Sequence, residues 1–412
     1  MKRLLVFSCF VFAAFFGYGA TAGAAPIYHL IDLGLTQWNS SWSNGINNSG
    51  QVTVHSKFNG QTFNYVYSGG TLTQLPLGTA DPVNQGANVY GINDSGEVTG
   101  AYITASLKVR AMTYSNGVLT DIGALPTNPS SNGLAINNLG QVAGYGENSP
   151  GTSQAALFAN GAVQLLSASR SEATGINNLG QVAFWSQVPN GGGTPYAFLY
   201  DGAMHNLGEG VTAGINDSGE IIGTSPETPP IAWSYSGGAM HSLGTLSGEP
   251  YSFAHGINDE GDIVGSSGPI VFDSVLHGDF GDLGFLYQGG KMYNLNNLLD
   301  SSKLHWSVID GAAINDKGWI AGEGFFSVHD NTTGVIHPIL LIPVPEPGGV
   351  ILLFFGGLTA IAWMTLRRQS IRRPPRSEPA RSIQHESRHA VAGQPRPDRG
   401  NFYTCRSLPR RG

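Results

Sequence analysis

The sequence predicts an all-β fold, a ring of seven four-stranded units, and three observations along its middle predict it. The pair Ile-Asn recurs at Ile46, Ile92, Ile136, Ile176, Ile215, Ile257 and Ile314, at spacings of 46, 44, 40, 39, 42 and 57 residues. Self-similarity at such a period marks a repeat architecture whose units stack to bury a shared core. Each pair opens a short polar turn closed by glycine, between short apolar runs with no helical period. Finally, a segment resembling the fourth strand of the repeats, Tyr28 to Gly34, precedes the first repeat, while the last repeat has no fourth strand of its own.

The turn comes first in each unit. Its cores read Ile46-Asn47-Asn48-Ser49-Gly50-Gln51-Val52 and Ile92-Asn93-Asp94-Ser95-Gly96-Glu97-Val98, with copies at Asn137 to Gly140, Asn177 to Gly180, Asn216 to Gly219, Asn258 to Gly261 and Asn315 to Gly318. Asparagine at the first position of a type I turn bonds its own backbone two residues on, and glycine takes the left-handed position that closes the hairpin. The second strand follows, as in Gln141 to Gly144 or Glu220 to Gly223. An aromatic-rich third strand comes next, as in Tyr196 to Tyr200. The fourth recurs as Met204-His205-Asn206-Leu207-Gly208 and Met240-His241-Ser242-Leu243-Gly244. Four strands per unit of this length match a β-propeller blade. Tyr28 to Gly34 is expected to complete the last blade beside His337 to Ile342 and so remove a free sheet edge. A linear β-solenoid is the alternative. The long last spacing is ascribed to an insertion around Pro269 to Asp282 and a longer loop around Leu299 to His305.

The ends are different in kind. Residues 1–25 read as a secretory signal: basic Lys2 and Arg3, an apolar run from Leu4 to Phe16, then small residues to Ala25. The two cysteines, Cys9 and Cys405, fall in this signal and in the far tail, so no disulfide is expected within residues 26–343. Between Pro26 and Pro345 there are 7 basic and 24 acidic residues, whereas from Arg367 onward there are 12 arginines and 3 acidic residues. An acidic domain of this kind argues against a nucleic-acid partner, whose phosphates need compensating cations.

Val344-Pro345-Glu346-Pro347 precedes an apolar run over residues 348–366 and the basic pair Arg367-Arg368. That run is long enough for one membrane-spanning helix, with the arginines on the cytoplasmic side. In that order the three parts closely resemble the PEP-CTERM sorting signal of Gram-negative bacteria. The resemblance implies export, a membrane-anchored precursor, processing by an exosortase-type protease and delivery to the cell surface or matrix; a plain C-terminal anchor is the alternative. The sorting signal is placed at 344–368, and residues 369–412, rich in Arg, Pro and Ser, read as a disordered basic tail. Tails of that family end soon after the arginines, and this one continues to Gly412. The repeats over residues 40–325 resemble HAF-type extracellular repeats through stretches such as Tyr196-Ala197-Phe198, a likeness that implies export and surface association without a defined activity.

Chemistry is sparse. No metalloprotease, nucleophile-elbow or phosphate-loop motif is present. The Asn-Asp/Asn turns supply too few oxygens for dedicated calcium loops. Asp273, Asp279 and Asp282, in the insertion, are the densest acidic group and the best metal candidates, although charge for solubility explains them equally. His205 and His241 share one strand position, which suggests a common environment. Trp38, Trp42, Trp185, Trp233, Trp306 and Trp319 are read either as a sugar-stacking surface or as core. The expectation is a non-catalytic surface propeller, with no cofactor, that binds glycan, exopolysaccharide or protein. A secreted polysaccharide lyase or hydrolase and a purely structural matrix protein stand as the alternatives.

Overall fold

The computed structural model describes residues 25–34, 40–58, 61–77, 87–126, 130–149, 152–187, 193–268, 271–273, 278–280, 283–327 and 334–345. The regions expected to be the signal (but for Ala25), the membrane span, Glu346, Pro347, Arg367, Arg368 and the basic tail therefore lie outside the described residues, as do Trp38 and Asp282. Among the described residues no helix is long and apolar enough to cross a membrane.

Seven four-stranded antiparallel sheets form the blades of a β-propeller. Their inner strands are Ser40–Ile46, Asn88–Ile92, Ser131–Ile136, Ser171–Ile176, Val211–Ile215, Ser252–Ile257 and Trp306–Ile314. Six blades run in sequence order. The seventh is completed by Ile27–Asp32, which pairs antiparallel with Gly334–Val344 from Ile27↔Val344 to Asp32↔Ile339. The first and last strands of the propeller thus close the ring, as the leftover N-terminal strand predicted, and the solenoid alternative is set aside.

The core is distributed among seven clusters, one at each seam between neighbouring blades. Between the third and fourth blades, for example, Ala143, Ala155 and Leu157 meet Ala173, Val182 and Phe184. A blade is apolar on both faces, so each face needs a neighbour, and closing the ring removes the last bare face. Inner strands approach so closely that only small residues fit before the repeated isoleucine. A Cβ on Gly45 would lie 2.7 Å from the Tyr90 carbonyl oxygen of the next blade.

The two regions read as loops carry more structure than expected. The insertion after Ser267 contains a short hairpin, Val271–Asp273 with Gly278–Phe280. The segment before the seventh blade forms two 3-10 turns, Leu295–Asn297 and Ser301–Lys303, which lie along the outer edge of the closing strand. Tyr28 N donates to Leu298 O at 2.7 Å, Asp300 N to Tyr28 O at 2.9 Å, and Leu30 N to Ser302 Oγ at 2.9 Å. The N-terminal strand is therefore held on both sides, and its edge is covered. The last strand also runs further than expected, so Val344, the first residue of the sorting motif, belongs to the sheet.

Candidate functional site

The repeated turns converge on the propeller axis, where they do more than reverse the chain. In each, glycine adopts positive φ, +78° at Gly50 for instance, and its N–H donates to the asparagine carbonyl, as Gly50 N does to Asn47 O at 2.9 Å. The asparagine side chain accepts from the turn backbone: Leu179 N and Gln181 N both donate to Asn177 Oδ1, at 3.1 and 3.0 Å. Its Nδ2 then reaches the next blade. Asn47, Asn93, Asn137, Asn177, Asn216, Asn258 and Asn315 each donate to the carbonyl oxygen of the next asparagine, at 2.9 to 3.2 Å, and Asn315 returns to Asn47.

A second ring lies beside the first. The backbone N–H of each following residue donates to the side-chain oxygen of its counterpart one blade on, through Asn48, Asp94, Asn138, Asn178, Asp217, Asp259 and Asp316, at 2.8 to 3.0 Å. These fourteen residues and the seven isoleucines line one mouth of the axis. The side-chain oxygens that could have suggested calcium loops are thus engaged by N–H donors. Partial burial, together with the charges of Asp316, Asp217 and Glu260, raises the Asp259 carboxyl above its ordinary range. The inter-blade bond is the part of the asparagine's role that a reading of the local turn misses.

Beyond the isoleucines lies an axial pocket of about 310 Å³. It is lined by Asn44, Tyr90, Leu134, Thr174, Ala213, His255 and Ala312, one from each blade. All seven stand at a register shift in the pairing of inner and second strands. A bulge leaves one residue unpaired and re-aims its side chain. The repeat thus presents one side chain per blade to the pocket while the residues around it recur. The sequence signal was available: the bulged residue stands two places before each repeated isoleucine, ahead of an invariably small residue.

Behind His255 is a buried polar chain linking the sixth, seventh and first blades. His255 Nδ1 donates to Asp310 Oδ1 at 2.9 Å, Asp310 faces Glu323 across the seventh blade, and Ser43 N of the first blade donates to Glu323 Oε1 at 2.8 Å. Asp310 is 1% exposed and Glu323 2%. Burial depresses the His255 pKa, but the charge and hydrogen bond of Asp310 outweigh it, so the net direction is upward. Burial first, and then Asp310, push the Glu323 carboxyl well above the usual range. A second polar group crosses the second to fourth blades. There Asn132 Nδ2 donates to the Tyr145 hydroxyl at 3.2 Å, and burial raises that hydroxyl to about 12. Neither group was foreseen, because Asp310 and Glu323 carry no motif and meet only through strand register.

The remaining candidates are dispersed. Asp273 and Asp279 sit on opposite strands of the inserted hairpin. Among the described residues no group of three or more His, Cys, Asp or Glu is arranged to hold a metal ion. Trp42 and Trp233 are buried at 4% exposure each, which fits the core reading for those two. Trp319 packs on the first blade, Trp306 contacts Phe326 and His337, and Trp185 lies under the Arg170 guanidinium, so the five described tryptophans have separate surroundings. His205 is bound to Asp201 at 2.9 Å and His241 to the Ser236 carbonyl oxygen at 3.3 Å, both on exposed fourth strands.

No family model matches the sequence, and no curated protein matches it either. Among solved structures, the chain is similar to the β-propeller domain of the Trilobed protease from Pyrococcus furiosus, at 9% identity and a TM-score of 0.48, over 74% of this chain and 94% of that one. It is also similar to a puromycin-hydrolyzing peptidase of Mycobacterium tuberculosis, at 12% identity and a TM-score of 0.44, over 77% of this chain and 56% of that one. A third is the Aleuria aurantia lectin with bound α-methyl-L-fucoside, at 12% identity and a TM-score of 0.33, over 79% and 99%. At these identities and scores the likeness passes no activity to this chain.

Proposed function

We propose that this chain is an exported binding protein whose propeller engages glycan, exopolysaccharide or a protein at the surface of a Gram-negative bacterium. In this reading, residues 1–25 direct export and the apolar run 348–366 anchors a precursor in the inner membrane. An exosortase-type protease then processes it near Val344-Pro345-Glu346-Pro347 for delivery to the surface or matrix. The observation that carries the binding role is the axial wall, where a rigid repeat varies its side chain at one position per blade and aims that position at a pocket. Binding sites are built this way, from a few placed polar groups on a fixed scaffold. A polysaccharide lyase or hydrolase is less well supported, because the facing carboxyls Asp310 and Glu323 are buried away from any chain-length substrate.

The test uses the full chain, purified in a zwitterionic detergent without a sugar headgroup, on a glycan array and a polysaccharide panel. Saturable glycan binding without product release supports the reading. Release of shortened products replaces it with the enzyme, and silence in both leaves the structural role. For sorting, the released mass is compared with that of Pro345→Ala and Pro347→Ala; unchanged release defeats the processing step.

A further inference from the structure

The last strand outruns its neighbour at the end that leads into the proposed sorting motif. Gly334–Val344 pairs with Ile320–Ser327 only as far as Ile320↔Leu341. Beyond that point Ile342, Pro343 and Val344 pair with His29, Tyr28 and Ile27, and with no other strand among the described residues. In an antiparallel ladder, pairs that exchange hydrogen bonds alternate with pairs whose backbone groups point away. Tyr28 points away, its N–H to Leu298 O at 2.7 Å and its carbonyl oxygen to Asp300 N at 2.9 Å. Ile27↔Val344 and His29↔Ile342 are therefore the bonded pairs. Pro343, which has no N–H to give, stands opposite Tyr28, where none is needed.

The hold on these pairs weakens along the strand. Toward its middle, Leu30 N donates to Ser302 Oγ at 2.9 Å, and His29 Nδ1 lies 2.9 Å from Asp300 Oδ2. At its far end Asp32 Oδ2 lies 3.0 Å from His337 Nδ1. Tyr28 and Leu30 are buried, whereas Ile27 is 54% exposed and Val344 40%. A strand end with few buried contacts opens locally while the sheet behind it stays folded.

Docking of the N-terminal strand sets how much free chain precedes the apolar run. Only Pro345, Glu346 and Pro347 stand between Val344 and residue 348. Three residues reach about 10 Å; with residues 342–344 released, the unpaired stretch doubles to six and reaches about 20 Å. Recognition of an extended peptide runs through its backbone N–H and C=O groups. A protease cannot use the groups of Ile342 and Val344 while His29 and Ile27 hold them. We infer that the docked N-terminal strand withholds the sorting motif from its protease, and that the cut falls on chains whose residues 342–344 have come free. Processing then runs before the ring closes or during local opening of its last three pairs. This adds regulation to the sorting step proposed above and rests on that reading.

The test inserts Gly-Ser-Gly-Ser-Gly-Val after Val344, which restores the free length with the ring closed and keeps a valine ahead of Pro345. Pulse–chase of the full chain in the host that exports it follows loss of the membrane-bound form and gain of released mass. The insertion should speed processing about tenfold, the factor expected if roughly a tenth of parent chains are open at any time. The same insertion between Gly69 and Gly70, in an exposed turn of the first blade, should leave the rate at the parent's. Ile27→Gly, which frays the strand end and spares the core, should speed processing in the same direction. Hydrogen exchange on the purified full chain gives a readout independent of the protease. The Val344 amide should be protected in the parent and exchange faster in Ile27→Gly, with thermal melts confirming that both are folded. A parent-like rate in the chain lengthened after Val344, or a Val344 amide that exchanges freely in the parent, overturns the inference alone. A chain that is never released, with or without the insertion, sinks the sorting reading and the inference with it.

Discussion

Asn177→Asp separates two accounts of the repeated asparagine. If its role is confined to the turn, the substitution is mild, because the acceptor for Leu179 N and Gln181 N survives at 3.1 and 3.0 Å. If the asparagines staple the ring, the substitution removes the donor to Asn216 O at 3.0 Å and to Gln181 Oε1 at 2.8 Å and points a carboxylate at both oxygens. Each lost hydrogen bond removes roughly 0.5–1.5 kcal/mol, and an acceptor left orphaned in a buried site costs about 1–3 kcal/mol more. Asn177 is only 3% exposed, so solvent relieves little of this. The expected loss is about 2–4 kcal/mol, a large share of a domain stability of about 5–15 kcal/mol.

Urea denaturation at pH 7 reads the difference as a shift in midpoint at constant slope. Asn177→Ala, which removes all four bonds, should cost at least as much. The new carboxyl would have a folded pKa above its unfolded one, so the folded state would hold the proton more tightly. Its penalty should therefore shrink as pH falls toward the unfolded value of about 4. A midpoint within about 0.5 kcal/mol of the parent at pH 7, with no pH dependence, would refute the staple and return the asparagine to its turn.

Two further outcomes follow from the same seams. Deleting residues 26–34 removes Tyr28, Leu30 and Leu33, at 2%, 6% and 5% exposure, from the closing blade and its seams. At about 1.5–3 kcal/mol per buried side chain, that approaches the whole stability of a domain; the chain should elute as aggregate and show no cooperative melt, and a melt like the parent's would defeat the closure model. Glu323→Gln tests the buried acid: a carboxyl whose folded pKa is raised contributes stability at low pH that is lost as pH rises from its unfolded toward its folded value. The parent should lose melting temperature across that window while the variant's profile is flatter; the raised His255 pKa adds a decline of the same sign at higher pH, so Glu323→Gln should narrow the loss without abolishing it.

The ring was legible because its cause is local and repeated seven times. Ile-Asn, two further turn residues and glycine specify a hairpin from backbone geometry alone, and spacing then counts the blades. Closure was legible for a related reason, since an unpaired strand ahead of the first repeat and a missing one in the last are complementary deficits. The site was hidden because the repeat obscures it. Asn44, Tyr90, Leu134, Thr174, Ala213, His255 and Ala312 look like noise between recurring residues until the bulge turns all seven toward one axis. Asp310 and Glu323 are further still from view, being 13 residues apart and neighbours only by register. In a repeat protein, recurring positions are accounted for by the scaffold, so the positions that break the pattern are where function is to be sought. Here the breaks at one level line the axial pocket with Asn44, Tyr90, Thr174 and His255 interspersed with Leu134, Ala213 and Ala312.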